Sequence, residues 1–285
     1  MNILNIDRIT ALSGIIPFIK NYSNSVFVIK YGGSAMQDLS SMYHVIEDIL
    51  FLYYIGIKVV LVHGGGPSIN SWLKKVNIEA KFHNGLRLTD KKTMEIVQMV
   101  LCGNVNKNLV SMFNSYSSVA VGISGQDSNM IQSQPMFNIS DNYVGKINKI
   151  NNQIINILLN NGYIPIIASI GIDTNGQSYN INADIVAGEL AASLKANKLL
   201  LLTDASGIMR DLNDSSTLLK LLTTEDLLNL KDDNIIADGM IPKANSCINA
   251  LKKGVKSAHI IDGRFKHSLL YEIFTEDRLG SMIVS

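Results

Sequence analysis

Three ionisable residues stand where a fixed charge can do chemistry. Lys30 follows the apolar run 26–29 and precedes Gly32 and Gly33. Lys243 comes directly after Gly239-Met240-Ile241-Pro242, at the start of a helical pattern. Asp184 ends the segment Asn180-Ile181-Asn182-Ala183-Asp184, whose alternate polar residues fall on one side of an extended stretch. A lysine at a strand end and another at a helix N-terminus create a crevice for an anion, because the free N–H groups and the helix dipole add to the cations. Glycines in the adjoining loop let backbone donors approach the same anion. Phosphoryl transfer needs such parts, since it is catalysed mainly by positioning and by charge neutralisation.

The elements that must hold these residues are legible as buried strands that break into glycine. The run 26–29 is apolar and mostly β-branched or aromatic, as expected of a strand covered on both faces. Residues 58–62 repeat the pattern and break into His63-Gly64-Gly65-Gly66-Pro67, with Pro67 suited to open a helix through Ile69, Trp72, Leu73 and Val76. Further strands are expected at 119–123, 164–167, 199–202 (ending in Thr203-Asp204) and 259–262. Helices are expected at 92–113, capped by Thr89 or Asp90, and at 154–159, 184–195, after Thr223 or Thr224, and at 242–253; residues 130–150 read as an antiparallel excursion. This alternation predicts an α/β fold, a three-layer αβα sandwich around a mainly parallel open sheet, in two intimately joined lobes divided near residue 175. In such sheets ligands bind beyond the carboxyl ends of the strands. Residues 1–24 precede the first strand as a helix with Ile9, Leu12, Ile16 and Ile19 on one face, kinked or divided at Pro17. That helix is either an ordinary packing helix or an arm between subunits.

Composition narrows the function classes. The 285-residue chain is 47% hydrophobic and 17% charged with a net charge of +1, which favours neither a nucleic acid nor a membrane surface as partner. Cys102 and Cys247 lie in apolar helical contexts and read as core residues, and five scattered histidines show no metal-ligand spacing. No apolar run approaches the ~20 residues of a membrane span. The first residues, with Asp7 and few cations, read as neither signal nor transit peptide. The preference for Ile, Asn and Lys suggests an AT-rich genome, so the expected location is a plastid stroma for an organelle gene and otherwise a bacterial cytoplasm. A P-loop, a three-glycine dinucleotide loop and a G-x-S-x-G elbow are all absent, which argues against those nucleotide sites and against a hydrolase built on His63-Gly64-Gly65-Gly66.

Seven segments in this order, VIKYGGSAM, VLVHGGGPSIN, FHNGLRLTD, AVGISGQDSN, YNINADIVAGELA, LLLLTDASGIM and GMIPKANSC, resemble the acetylglutamate kinases of the amino acid kinase family over nearly the whole chain. The resemblance implies ATP, accompanied by Mg²⁺, as phosphoryl donor and N-acetyl-L-glutamate as acceptor, in arginine biosynthesis. It implies that Lys30 and Lys243 neutralise the transferring phosphoryl and that Asp184 holds both lysines. Gly65, Gly66, Arg87 and Asn180 would bind the acetylglutamate, with Arg87 on its α-carboxylate. Gly32, Gly33, Asn182, Thr203 and Asp204 would lie on the nucleotide side. The lobes would divide as 25–175 for acetylglutamate and 176–285 for ATP. A glutamate or carbamate kinase of the same family is the alternative enzyme, and a non-catalytic arginine-sensing scaffold the alternative of another kind.

The chain further resembles the arginine-inhibited members. The helix 1–24 is similar to the arm that joins their dimers into a hexamer, a trimer of dimers. His259 and Glu272 match positions expected to contact arginine, and a PII signalling protein is an expected partner of such members. Arg278 and Ser281 depart from the usual glycine and threonine. The plain alternative is that His259 ends a core strand and Glu272 faces solvent.

Overall fold

The computed structural model describes residues 3–83, 85–212 and 214–285. Eight strands form one sheet in the order Leu221–Thr223, Ser281–Val284, Ser257–Asp262, Lys198–Thr203, Val26–Tyr31, Lys58–His63, Ile164–Ala168 and Ala120–Ser124. Every pairing is parallel except that of Ser257–Asp262 with Ser281–Val284. Side chains alternate along a strand, so each central strand feeds two cores. Phe27, Ile29, Leu61, Leu200 and Ile261 pack on one face, against helices Leu39–Tyr54, Asn106–Tyr116 and Ser268–Phe274. Val28, Val60, Leu199, Leu201 and Ile260 pack on the other, against helices Ala183–Ser193, Thr224–Asp232 and Met240–Lys252. The three layers follow from strands that are apolar at both parities. Lys30, two residues beyond Val28, must project toward the second set of helices.

A smaller sheet, in the order Ser178–Asn180, Ile170–Ile172, Ile131–Pro135 and Gly145–Ile150, extends beyond the end of Ile164–Ala168. Its outer pair supplies the antiparallel excursion expected at 130–150. The turn 173–176, where the lobe boundary was expected, joins two antiparallel strands of this one sheet.

Several boundaries differ for local reasons. The expected helix 92–113 is two α-helices, Lys91–Gln98 and Asn106–Tyr116, joined by a π-helical stretch Met99–Val105. One wider turn leaves the apolar periodicity almost unchanged, so the pattern conceals it. Asp90 is the cap, accepting from the Thr93 N–H at 2.8 Å. The helix expected from Pro242 begins at Met240, since proline costs no hydrogen bond within the first turn. Thr223 and Asp226 form a capping box at the start of Thr224–Asp232.

The first helix, Ile3–Tyr22, contains Pro17 and is not divided by it. The side chains of Ile9 and Leu12 lie outside the described residues; Ile16 is 62% exposed. The helix docks through aromatic edges: Phe18 meets Phe274 at 5.4 Å between ring centroids, and Tyr22 meets Phe27 at the same distance. Among the described residues no helix is long and apolar enough to cross a membrane.

Candidate active site

The three charges singled out in the sequence converge. Lys30 Nζ lies 3.0 Å from one carboxylate oxygen of Asp184, and Lys243 Nζ lies 2.9 Å from the other. Asn182 caps helix Ala183–Ser193, accepting from the Asp184 N–H at 2.8 Å, and so delivers Asp184 in the first turn. Lys243 comes from the first turn of helix Met240–Lys252, whose dipole adds to its charge. Burial raises the proton affinity of Asp184, but the charges of Lys30 and Lys243 outweigh it and hold the carboxyl below its usual range. Burial pushes the Lys30 ammonium below the ordinary lysine value against the attraction of Asp184, and the Lys243 charge pushes the same way. Two cations on one carboxylate leave the group with net charge +1, poised for an anion.

The glycines around it answer to distinct constraints. Gly33 has φ +75°, in the left-handed region, and faces Asp204. A Cβ at Gly32 would come within 3.1 Å of Lys30 Cε and Nζ, so the glycine makes room for the lysine to lie back along its own loop. The second loop touches the first, the Gly64 N–H donating to Tyr31 O at 3.0 Å. At Gly65 a Cβ would stand 2.5 Å from Leu101 of the π-helical stretch. The irregular turn therefore presses on the glycine loop.

Beside this loop lies a cleft of ≈170 Å³ lined by Gly65, Gly66, Arg87, Asn180, Asn182 and Leu101, among others. Arg87 is not the surface cation that its neighbours in sequence allow: it is 8% exposed. Its guanidinium lies over the Phe82 ring at 4.7 Å, and Nη2 donates to Asn70 Oδ1 at 2.7 Å. Nη1 is buried with no hydrogen-bond partner among the described residues. Burial lowers the proton affinity of the guanidinium, and no carboxylate of the described residues pairs with it. Asn180 Nδ2 donates to Thr89 Oγ1 at 3.1 Å, and Thr89 Oγ1 donates to Arg87 O at 2.8 Å, so the two cleft residues are tied through one threonine.

On the opposite flank Thr203 is buried and donates to the exposed Asp204 at 3.2 Å. Asp204 lies near Gly33 and contributes to the field at Lys30. Asn182, expected on that flank, has its side-chain oxygen engaged as the helix cap and borders the Arg87 cleft.

His259 and Glu272 are brought together elsewhere, on the other face of the sheet. Both are almost fully buried, which rules out a solvent-facing Glu272. His259 Nδ1 is 2.8 Å from Glu272 Oε1, while Glu272 Oε2 accepts from the N–H groups of Leu279 at 3.1 Å and Gly280 at 3.0 Å. Lys198 Nζ lies 3.2 Å from His259 Nε2 and 5.3 Å over the Tyr22 ring. Burial lowers Lys198 to about 8, partly offset by the pull of Glu272 and reinforced by Arg278. Burial likewise lowers His259 to about 4.

Four residues of these sites escape a reading by motif: Asn70, Thr89, His63 and Lys198. His63 is wholly buried, its Nδ1 donating to Gly64 O at 2.9 Å and its Nε2 accepting from Asn106 Nδ2 at 3.1 Å, which braces the glycine loop against the sheet. Only its place at the last position of a buried strand hinted at such a role. Asn70, one turn into the helix after the glycines, carried a similar hint.

The profile of the amino acid kinase family matches residues 25–262. An acetylglutamate kinase of Gracilaria tenuistipitata var. liui is 54% identical over 281 residues, covering 98% of this chain and 99% of that protein. Among solved structures, an N-acetylglutamate synthase of Neisseria gonorrhoeae superposes with a TM-score of 0.86 at 24% identity, over 97% of this chain and 63% of that one. A carbamate kinase of Giardia lamblia superposes with a TM-score of 0.68 at 16% identity, over 93% of this chain and 99% of that one. At such identities the two structures speak for the fold alone. The family profile and the full-length relative place the chain in the amino acid kinase family.

Proposed function

We propose that this chain transfers the γ-phosphoryl group of ATP to the γ-carboxylate of N-acetyl-L-glutamate, a step of arginine biosynthesis. The observation that carries the reading is the buried, half-partnered guanidinium of Arg87 in a cleft whose lining residues Asn182 and Ala183 directly precede Asp184 of the Lys30–Asp184–Lys243 group. A buried cation without an anion is costly, and an α-carboxylate supplies the missing partner in bidentate form. With that end fixed, the distal carboxylate of the acceptor points toward the two lysines. Gly65 and Gly66 border the acceptor beside Asn180, and Gly32, Gly33, Thr203 and Asp204 form the nucleotide side. The lysines neutralise charge on the moving phosphoryl, while Asp184 positions them and exchanges no proton. Mg²⁺ arrives as its complex with ATP, because both oxygens of Asp184 are already engaged by lysines. In this reading residues 25–175 carry most of the acceptor site and 176–285 most of the nucleotide site, with Asn180 and the loop of Gly32 and Gly33 each reaching across to the other.

An assay of ADP release with N-acetylglutamate, glutamate and carbamate tests the proposal. Turnover confined to N-acetylglutamate supports it. Turnover with glutamate or carbamate instead would favour another kinase of the family, and no turnover with any of them a sensing scaffold.

Regulation extends the same reading. Arginine as end product would bind at the corner formed by His259, Glu272 and the first helix, where Phe18 meets Phe274 two residues from Glu272. The field of Arg278 reaches Lys198 and His259, so it opposes a second guanidinium there. Inhibition is expected to be weaker than in Arg278→Gly, as read by calorimetry with free arginine on both proteins. The first helix would link dimers into a hexamer, a PII protein would be a further partner, and the compartment would be a plastid stroma for an organelle gene and otherwise a bacterial cytoplasm. Light scattering on the chain lacking residues 1–24 checks the assembly, with dimers expected.

A further inference from the structure

We infer that His44, Glu47 and His267 form a binding site for a transition-metal ion of the zinc class, remote from the kinase chemistry. His44 and Glu47 are three residues apart on helix Leu39–Tyr54 and so share a face. His267 comes from the far end of the chain, at the cap of helix Ser268–Phe274, and its ring stands 5.2 Å from that of His44. One donor atom from each of the three residues lies within 4.8 Å of the other two. Donors at ~2.0–2.2 Å from a tetrahedral zinc are about 3.4 Å apart, so small side-chain rotations close the set.

The second observation concerns how His267 is held. Its backbone is left-handed, with φ 55°, unusual for a residue with a side chain. Asp48, 1% exposed, accepts from its Nδ1 at 2.6 Å. A carboxylate at Nδ1 fixes the proton there and leaves Nε2 with a free lone pair, the arrangement found behind metal-bound histidines. Glu47 has longer, exposed contacts: Tyr116 Oη donates to its Oε1 at 3.4 Å while Oε2 lies 3.4 Å from His44 Nδ1. Two imidazoles and one carboxylate suit Zn²⁺, Ni²⁺ or Cu²⁺, whereas Mg²⁺ and Ca²⁺ prefer oxygen ligands. The side chains of Glu47 and His267 are 43% and 42% exposed, leaving an open side for entry and for a water ligand. The ion would clamp helix Leu39–Tyr54 more firmly to the connection that follows the strand Ser257–Asp262, which already meets it through Asp48 and His267 at 2.6 Å and through the Ser41 hydroxyl donating to Arg264 O at 3.4 Å.

Full-length protein stripped with a chelator is titrated with Zn²⁺ by calorimetry, and with Co²⁺ by visible absorption, which reports ligand geometry. The expected result is one ion per chain, a rise in thermal midpoint, and no competition from Mg²⁺. His44→Gln and His267→Asn should each weaken binding about tenfold or more, the latter because asparagine keeps the left-handed backbone. Asp48→Asn should weaken it by about 10–100-fold with the three ligands intact. All three metal-free variants should release ADP as the unaltered protein does, which also reports their folding. Absence of a stoichiometric ion, or binding that survives both histidine substitutions unchanged, would overturn the site and leave two hydrogen-bonded surface histidines.

Discussion

Two buried clusters of ionisable groups sit on opposite faces of the same sheet, and they are built to different ends. In the first, Asp184 serves two lysines and the group keeps a net positive charge at the ends of the strands. In the second, Glu272 is saturated by His259 and by two backbone N–H groups, and Lys198 balances its charge. The first group is incomplete without an anion. The second is already paired within the chain, so that an arginine there would compete with those partners, and it ties helix Ser268–Phe274 to the last strands. Burial of ionisable groups therefore says little about function until their remaining hydrogen-bonding capacity is counted.

Substitutions that unbalance each cluster should separate the two roles. Glu272→Ala should have the largest effect, a loss of about 3–5 kcal/mol of stability, because it leaves two buried N–H groups without their acceptor and the Lys198 charge without its counter-charge. Urea unfolding measures it, and kcat of the folded fraction should barely change. Lys30→Ala should do the reverse. Its kcat should fall by roughly 10²–10³ with little change in KM for the acceptor, since a preorganised charge is lost from the transition state alone. Near-normal turnover would remove Lys30 from the chemistry.

Arg87→Ala sharpens the contrast within the first region. Losing a bidentate charged contact costs about 1.5–3 kcal/mol, so KM for N-acetylglutamate should rise by about one to two decades while the KM for ATP holds. If the ATP constant moves instead, the cleft belongs to the nucleotide.

The smallest expected effect is a slope. His63 and His259 are lowered by burial from about 6.5 to about 4. Between those values the unfolded chain binds protons that the folded chain refuses, so stability is full above pH 6.5 and declines as pH falls toward 4. Each histidine contributes at most about 1.4 kcal/mol per pH unit. His259→Gln should remove one such contribution, as read from urea midpoints at pH 7, 6 and 5. An unchanged slope would mean that His259 is already charged beside Glu272.

Local order was legible in the chain wherever one interaction dominates. Apolar runs broken by glycine predict strands that end at a crevice, and the caps at Asp90 and Thr223 follow from hydrogen bonds within one turn. Even the face on which Lys30 emerges follows from alternation with Val28, because a strand has no other period. The π-helical turn at Met99–Val105 escaped this logic because one wider turn leaves the apolar periodicity almost unchanged. Residue order alone likewise did not show that Asn70 and Phe82 would hold Arg87, or that Lys198 would meet His259. Those meetings depend on which strands become neighbours and how helices settle over them. That choice is made by the summed burial of two cores and not by any short stretch. The sequence by itself determined the central strands, several helix caps and the resemblance to a family; only the tertiary structure decided which charges are paired and which one is left waiting for a ligand.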